Sequence, residues 1–251
     1  MTALPASCSG QLPPAVAAAL WRGDALGTPA VDVTPTGWAA LDRELPGGGW
    51  PRRTLTELLT AQPALLEWRL LGPALAGASA AGGQVVVIGP PRPPHVPGLL
   101  HAGLDERHLV WIQAETPAER LWCTEQIVRA GAGAVVAWLP QARPEQIRRL
   151  QLAAQASDGL FVTCRPEAAQ HEASAAPLRV QATVGLDWTL QVRILKRRGP
   201  VHDSVLELPS VPGGLEAVLT PRLRQPSRLF SRDPAHVGRP APEPGRRLSV
   251  V

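Results

Sequence analysis

Short apolar runs alternate with polar, glycine-rich or proline-rich breaks, and the spacing of apolar positions switches between two residues and about 3.6 along the chain. Thr54 to Leu59 reads as a short apolar strand. Gln84 to Gly89 (QVVVIG) is continuously apolar, as in a strand buried on both faces of a parallel sheet. Leu109 to Ala114, Ala134 to Leu139 and Gly159 to Cys164 repeat that signal. Helical spacing lies between them. Thr36, Gly37, Leu41 and Leu45 predict a short helix on a core, and Leu65 to Ala80 predicts a longer one that Gly72 and Pro73 would kink or interrupt, ended by Gly82 and Gly83. Leu99 to Arg107 predicts a short helix. Thr116, Pro117 and Glu119 form a capping box opening a helix to Arg129 that buries Leu121, Trp122, Ile127 and Val128. Pro144 to Ala156 places Ile147, Leu150 and Leu152 inward and Arg148 and Arg149 outward. Repeated strand, helix and glycine units predict an α/β domain with a mostly parallel sheet flanked by helices.

The remaining segments read differently. Pro90 to Pro97 predicts a stiff surface loop. His95 and His101 flank it with no third ligand at a useful spacing, so no metal site and no cofactor is expected. The segment from Arg165 to Ala176 predicts an exposed loop with too few cations to attract DNA. Leu178 to Gly185, Leu186 to Gly199 and Ser204 to Ser210 predict closing antiparallel strands, with Trp188, Leu190, Val192 and Ile194 on one face. Arg193, Lys196, Arg197 and Arg198 are the densest positive cluster, a candidate DNA-backbone contact, an acidic-partner site or a solvated hairpin tip. From Pro209 onward prolines and arginines dominate and predict a flexible tail over 209–251. Leu223, Arg224, Arg228, Leu229 and Phe230 form its candidate partner-binding anchor, with Leu248 and Val250 further on. Residues 1–29 read as a leader with a short helix from Pro13 to Trp21 that docks on a neighbouring subunit or on its own domain.

The stretch from Val31 to Glu67 organises the rest. After a tight turn over Pro46 to Pro51 and the strand at Thr54 to Leu59, an ATPase would carry G-x-x-x-x-G-K-[ST], whose backbone N–H groups, lysine and hydroxyl hold phosphates and magnesium. Here Thr60, Pro63, Leu66 and Glu67 stand instead, without glycine or lysine. Pro63 has no N–H to offer, and the Glu67 carboxylate falls near a helix N-terminus, where a phosphate would sit. The strand at Gln84 to Gly89 leads into PPRPPHVPG, which has no carboxylate to activate water. A P-loop ATPase ends a later strand in a magnesium-orienting aspartate, whereas the strand at Ala134 to Leu139 ends here in Trp138, Leu139 and Pro140. Three losses together predict a dead, degenerate nucleotide site and no enzymatic activity.

The order T-G-W-x-x-L-D, L-P-G-G-G-W-P-R and L-T-E-L resembles the opening of the RecA core, and more closely the RecA-like translesion-synthesis accessory proteins of the ImuA family, over about residues 30 to 210. That resemblance implies a RecA-like core over 30–208 with a degenerate P-loop. It also implies a non-catalytic adaptor role in SOS-induced mutagenic translesion DNA synthesis. Its partners would be an ImuB-like relative of DinB/UmuC polymerases, an error-prone replicative-type polymerase, and RecA itself, with self-association and weak DNA contact as further expectations. Some members of the wider group are related to SulA, so inhibition of a filament-forming cell-division GTPase is the alternative, with a residual ATPase or recombinase mediator as a third reading.

Composition narrows little further. A chain of 251 residues can bury a large core in one domain. The net charge of +4 permits nucleic acid or acidic protein contacts, and Lys196 is the only lysine. Arginine favours bidentate contacts to phosphate and carboxylate, and a GC-rich genome produces the same bias. Cys8, Cys123 and Cys164 have no metal-ligand spacing and predict buried thiols in a reducing compartment. Without an export signal or a long apolar run, a cytoplasmic location is expected.

Overall fold

The apolar runs pair into a sheet whose spatial order departs from the chain order. A computed structural model describes residues 32–212 and 215–230. Its strands are β1 (Val33–Thr34), β2 (Trp50–Pro51), β3 (Leu55–Thr60), β4 (Val85–Ile88), β5 (Leu109–Ile112), β6 (Ala134–Trp138), β7 (Leu160–Pro166), β8 (Leu178–Val184), β9 (Thr189–Lys196) and β10 (Val205–Pro209). Its helices are α1 (Ala39–Glu44), α2 (Glu67–Ala80), α3 (Val96–His101), α4 (Pro117–Arg129), α5 (Pro144–Gln155), α6 (Pro221–Arg224) and α7 (Ser227–Phe230). β1 and β2 form a small antiparallel ribbon, and the other eight strands form one sheet in the order β10-β9-β8-β3-β7-β6-β4-β5. The run from β8 to β5 is parallel throughout, whereas β9 and β10 are added antiparallel. This is an α/β fold with a mixed, mostly parallel sheet.

Both faces of the sheet are covered, which is why the inner strands carry unbroken apolar runs. On one face Leu58, Val87, Val136 and Val162 pack against Leu41 of α1 and Leu70, Leu71 and Leu75 of α2. On the other, Leu55, Val86, Val135 and Phe161 pack against Val128 of α4 and Ile147, Leu150 and Ala154 of α5. The stretch from Thr36 to Trp50 locks the first layer in place. Gly37 sits at φ +82°, and a Cβ there would lie 2.3 Å from Pro73 Cβ, so only glycine lets this turn press on α2. Trp38 then donates its indole N–H to the Leu70 carbonyl at 3.0 Å, and Asp42 accepts from the Thr36 N–H at 2.9 Å. A Cβ on Gly49 would strike the Thr34 carbonyl oxygen at 2.5 Å, which keeps the β1–β2 ribbon tight beneath the fully buried Trp50.

Several sequence expectations are corrected. α2 runs unbroken through Pro73 and ends at Gly82 and Gly83, whose N–H groups bond back to Ser79 and Ala78. α3 begins at Val96, inside the segment expected to be loop, with Pro97 in its first turn and His95 Nδ1 accepting from the Gly98 N–H. It stops at His101 because Gly103 takes φ +94°, and residues 106–108 form a separate 3-10 turn. Trp122 is 61% exposed, because the core-facing stripe of α4 passes through Thr124, Glu125 and Val128 instead. Leu152 is likewise exposed, and Gln151, Ala153 and Ala154 take the inward positions. β8 is not a closing antiparallel strand: it lies inside the sheet, parallel to β3, with both of its faces largely buried. Residues after Cys164 are not all loop, since β7 continues through Arg165 to Pro166 and a 3-10 turn covers Glu167–His171. The boundary expected at 208 falls within β10, and Ser210 beyond it is buried. The helix expected at residues 13–21, Cys8, Leu248 and Val250 lie outside the described residues.

Glu125 ties the two helices of the second layer together. Its buried carboxylate accepts from Arg149 of α5 and from Arg129 one turn on in α4, the latter at 2.9 Å. The Arg149 hydrogen bond, with help from Arg129, holds the carboxyl below the ordinary glutamate range despite burial. A carboxyl depressed on folding stabilises the fold above its unfolded pKa and loses that contribution as pH falls through the folded value. Glu125→Gln is therefore expected to melt below the parent at neutral pH, with the gap closing on acidification. Thermal melts across that pH range check it, and a pH-independent gap would show that the charge is irrelevant.

Candidate functional site

The loop joining β3 to α2 is the position where a phosphate would be cradled, and its donors converge on an atom of this chain. Glu67 is the first residue of α2 and only 1% exposed. Its Oε1 accepts from the Ala64 N–H at 3.0 Å, from the Thr60 hydroxyl at 3.3 Å and from the Trp138 indole N–H at 3.2 Å. Its Oε2 accepts from the Leu66 N–H at 3.1 Å. Ala64 adopts φ +63°, a conformation that turns successive N–H groups into an anion-binding concavity. A carboxylate at a helix N-terminus also meets the favourable end of the backbone dipoles.

Thr60, Leu66, Glu67 and Trp138 are thus brought together at the carboxyl ends of β3 and β6, and Pro63 lines the same hollow. That hollow measures about 80 Å³, well below the several hundred Å³ of a typical small-molecule site. Trp138 fills the rest, its ring packed 5.8 Å from that of Trp68. Cys164 lies beside it, fully buried, and burial together with the Glu67 charge pushes its thiol pKa up. Such a thiol is a poor nucleophile. Among the described residues no group of three or more His, Cys, Asp or Glu is placed to hold a metal ion.

A second polar constellation, missed in the sequence, sits on the opposite face of β3. Glu57 is fully buried between two arginines from the neighbouring strands. Arg165 of β7 reaches its Oε1 at 3.0 Å and Arg179 of β8 reaches its Oε2 at 2.7 Å. Arg165 also binds the Ala142 carbonyl and Glu172, and Arg179 binds the carbonyls of Ala169, Gln170 and Glu172. Arg165 was expected to be a lone cation in an exposed loop; it is buried because Glu57 needs a partner. The available signal was a glutamate at the centre of the apolar run Leu55 to Leu59, with Arg165 and Arg179 in two other strand-like segments.

The candidate DNA-binding cluster is only partly free. Arg193, Lys196 and Arg198 are exposed, and Lys196 donates to the Ser174 carbonyl at 2.8 Å. Arg197 turns inward instead, bonding the Glu44 carbonyl, the Pro200 carbonyl and, at 3.6 Å, the Glu44 carboxylate. The candidate partner anchor rests on the domain itself. The Trp188 indole donates to the Leu223 carbonyl at 2.9 Å, Asp187 accepts from Ser227, and Arg224 folds back onto the carbonyls of Leu219 and Glu216. Residues 215–230 therefore do not form a free tail. Leu223 stays about half exposed and Arg228 is exposed, whereas the side chains of Leu229 and Phe230 lie outside the described residues. No described helix is long and apolar enough to cross a membrane. Searched against protein-family models and curated proteins, the chain matches none.

Proposed function

We propose that the protein is a non-catalytic adaptor on a RecA-like core of the ImuA type. In this reading it acts in mutagenic lesion bypass by bridging an ImuB-like polymerase relative and an error-prone replicative-type polymerase. One observation carries the non-catalytic part: the Glu67 carboxylate takes the loop N–H groups that a phosphate would need. A second anion brought there would meet the buried Glu67 carboxylate in a hollow too small for it, and the two arginines that line that hollow, Arg120 and Arg165, are already bonded to the Ala114 carbonyl and to Glu57 and Glu172. The pathway and the partners rest on the resemblance of residues 31 to 67.

Two measurements test this. Isothermal titration with ATP and magnesium is expected to give no saturable heat, and micromolar binding would overturn the dead-site reading. Co-expression with an ImuB-like polymerase relative is expected to yield a complex on purification. Recovery of a cell-division GTPase in its place would assign the protein to the SulA-like alternative.

A further inference from the structure

A cavity of about 360 Å³ opens at the end of the sheet away from Glu67, where the parallel strands begin. Its walls come from distant parts of the chain: Arg52 and Arg53 lead into β3, Asp158 precedes β7, Leu178 opens β8, and Arg197 and Arg198 follow β9. Four guanidiniums thus face two carboxylates, Asp32 and Asp158, across one hollow. Arg52 satisfies both carboxylates, at 3.0 Å to Asp158 and 3.8 Å to Asp32, yet its own Nε is buried without a hydrogen-bond partner. Arg197 is held by Glu44. That leaves Arg53 and Arg198 in excess. Arg53 is exposed, has one long contact of 3.4 Å to the Gln155 carbonyl, and is held at φ +56°, an unfavourable conformation for a non-glycine residue. Arg198 is exposed and has no ion pair or hydrogen bond among the described residues.

We propose that this cavity binds a phosphodiester group of a single-stranded nucleic acid. The two guanidiniums without a carboxylate partner offer planar forks from different walls, the geometry that suits a tetrahedral oxyanion. Pro46, Pro51, Pro177 and Leu178 add apolar wall for the attached sugar and base. The charge also continues outside the cavity: Arg197 lines both it and a neighbouring hollow bounded by Arg193 and Lys196, so an extended polyanion would meet further cations. A duplex presents its phosphates on a convex rigid backbone and cannot follow a concave wall, whereas a single strand can bend into it. This site lies apart from the Glu67 loop and stands independently of the adaptor reading.

The test is fluorescence anisotropy of the full chain with a labelled oligothymidine over a salt series. The parent is expected to bind at low salt, with affinity falling as salt rises. Arg53→Ala with Arg198→Ala should weaken binding roughly tenfold or more and flatten the logarithmic salt slope by about 0.7, the share of one phosphate on a single strand. Arg198→Glu, at an exposed position with no partner to lose, should weaken it comparably and decides the matter should the double variant unfold. Arg92→Ala, an exposed arginine at the other end of the sheet, should bind like the parent. The proposal is overturned by absence of binding at low salt, by unchanged affinity in Arg198→Glu, or by a duplex binding more tightly than the single strand. Displacement by polyglutamate at equal charge would overturn it too, marking the cavity as a site for an acidic protein.

Discussion

Replacing Glu57 by alanine is expected to destabilise the domain by about 3–5 kcal/mol, a large share of what holds an ordinary domain folded. The reason is the company it leaves behind. Arg165 is 2% exposed and Arg179 is 8% exposed, and both would keep their charges in a nearly dry interior between β7, β3 and β8. Arg165 keeps the Ala142 carbonyl and the half-exposed Glu172 carboxylate, whereas Arg179 keeps only the carbonyls of Ala169, Gln170 and Glu172, whose partial charge cannot replace a carboxylate. The cost measures chiefly the uncompensated Arg179 rather than the worth of the network. Replacing all three members, as in Glu57→Leu with Arg165→Met and Arg179→Leu, should therefore recover most of the loss. Urea unfolding of the two variants beside the parent decides this. If the single change cost less than 1 kcal/mol, water or relaxation would be reaching the pair, and the interior described above would not be dry.

The parallel core was legible because its strands are short apolar runs bounded by breakers, and the capping box of Thr116 and Glu119 gave the start of α4 directly. What escaped was everything fixed by contacts between distant segments. Glu57 and Arg179 stand side by side only because β8 slots beside β3, and nothing in residues 178–184 marks which strand they join. Arg197 was read with Arg193, Lys196 and Arg198 as one cluster, yet a partner 153 positions away in sequence, Glu44, draws it partly inward. Trp122 and Leu152 misled because size was counted ahead of angular position: small Ala153 and Ala154 let α5 approach the sheet, leaving the larger Leu152 outside. The organising stretch fared differently. Thr36, Gly37, Trp38, Asp42 and Gly49 all have local structural work to do, so its distinctive spelling reflects how it packs on α2 and the ribbon.

Glu67→Ala is the companion experiment, expected to cost about 3 kcal/mol and to create no nucleotide site. Removing the carboxylate strips the acceptor from the Ala64 and Leu66 N–H groups, from the Thr60 hydroxyl and from the Trp138 indole. Thr60 can turn its hydroxyl toward another acceptor, but two backbone donors and an indole cannot, and each unsatisfied buried donor costs about 1–3 kcal/mol. The enlarged hollow offsets part of this where water can enter a polar space. Glu67→Gln separates charge from shape. Its carbonyl can still take the three donors that meet Oε1, while its NH₂ confronts the Leu66 N–H, a donor against a donor, at a cost of about 1–2 kcal/mol. ATP should remain unbound in both variants, because Pro63 still withholds an N–H, Trp138 still occupies the space and no lysine reaches the phosphates. Urea unfolding and ATP titration on the same preparations read the two halves separately. A Glu67→Ala protein as stable as the parent would show that the loop donors do not depend on this carboxylate. One that gained ATP affinity would show instead that Glu67 alone blocks a cradle otherwise still intact.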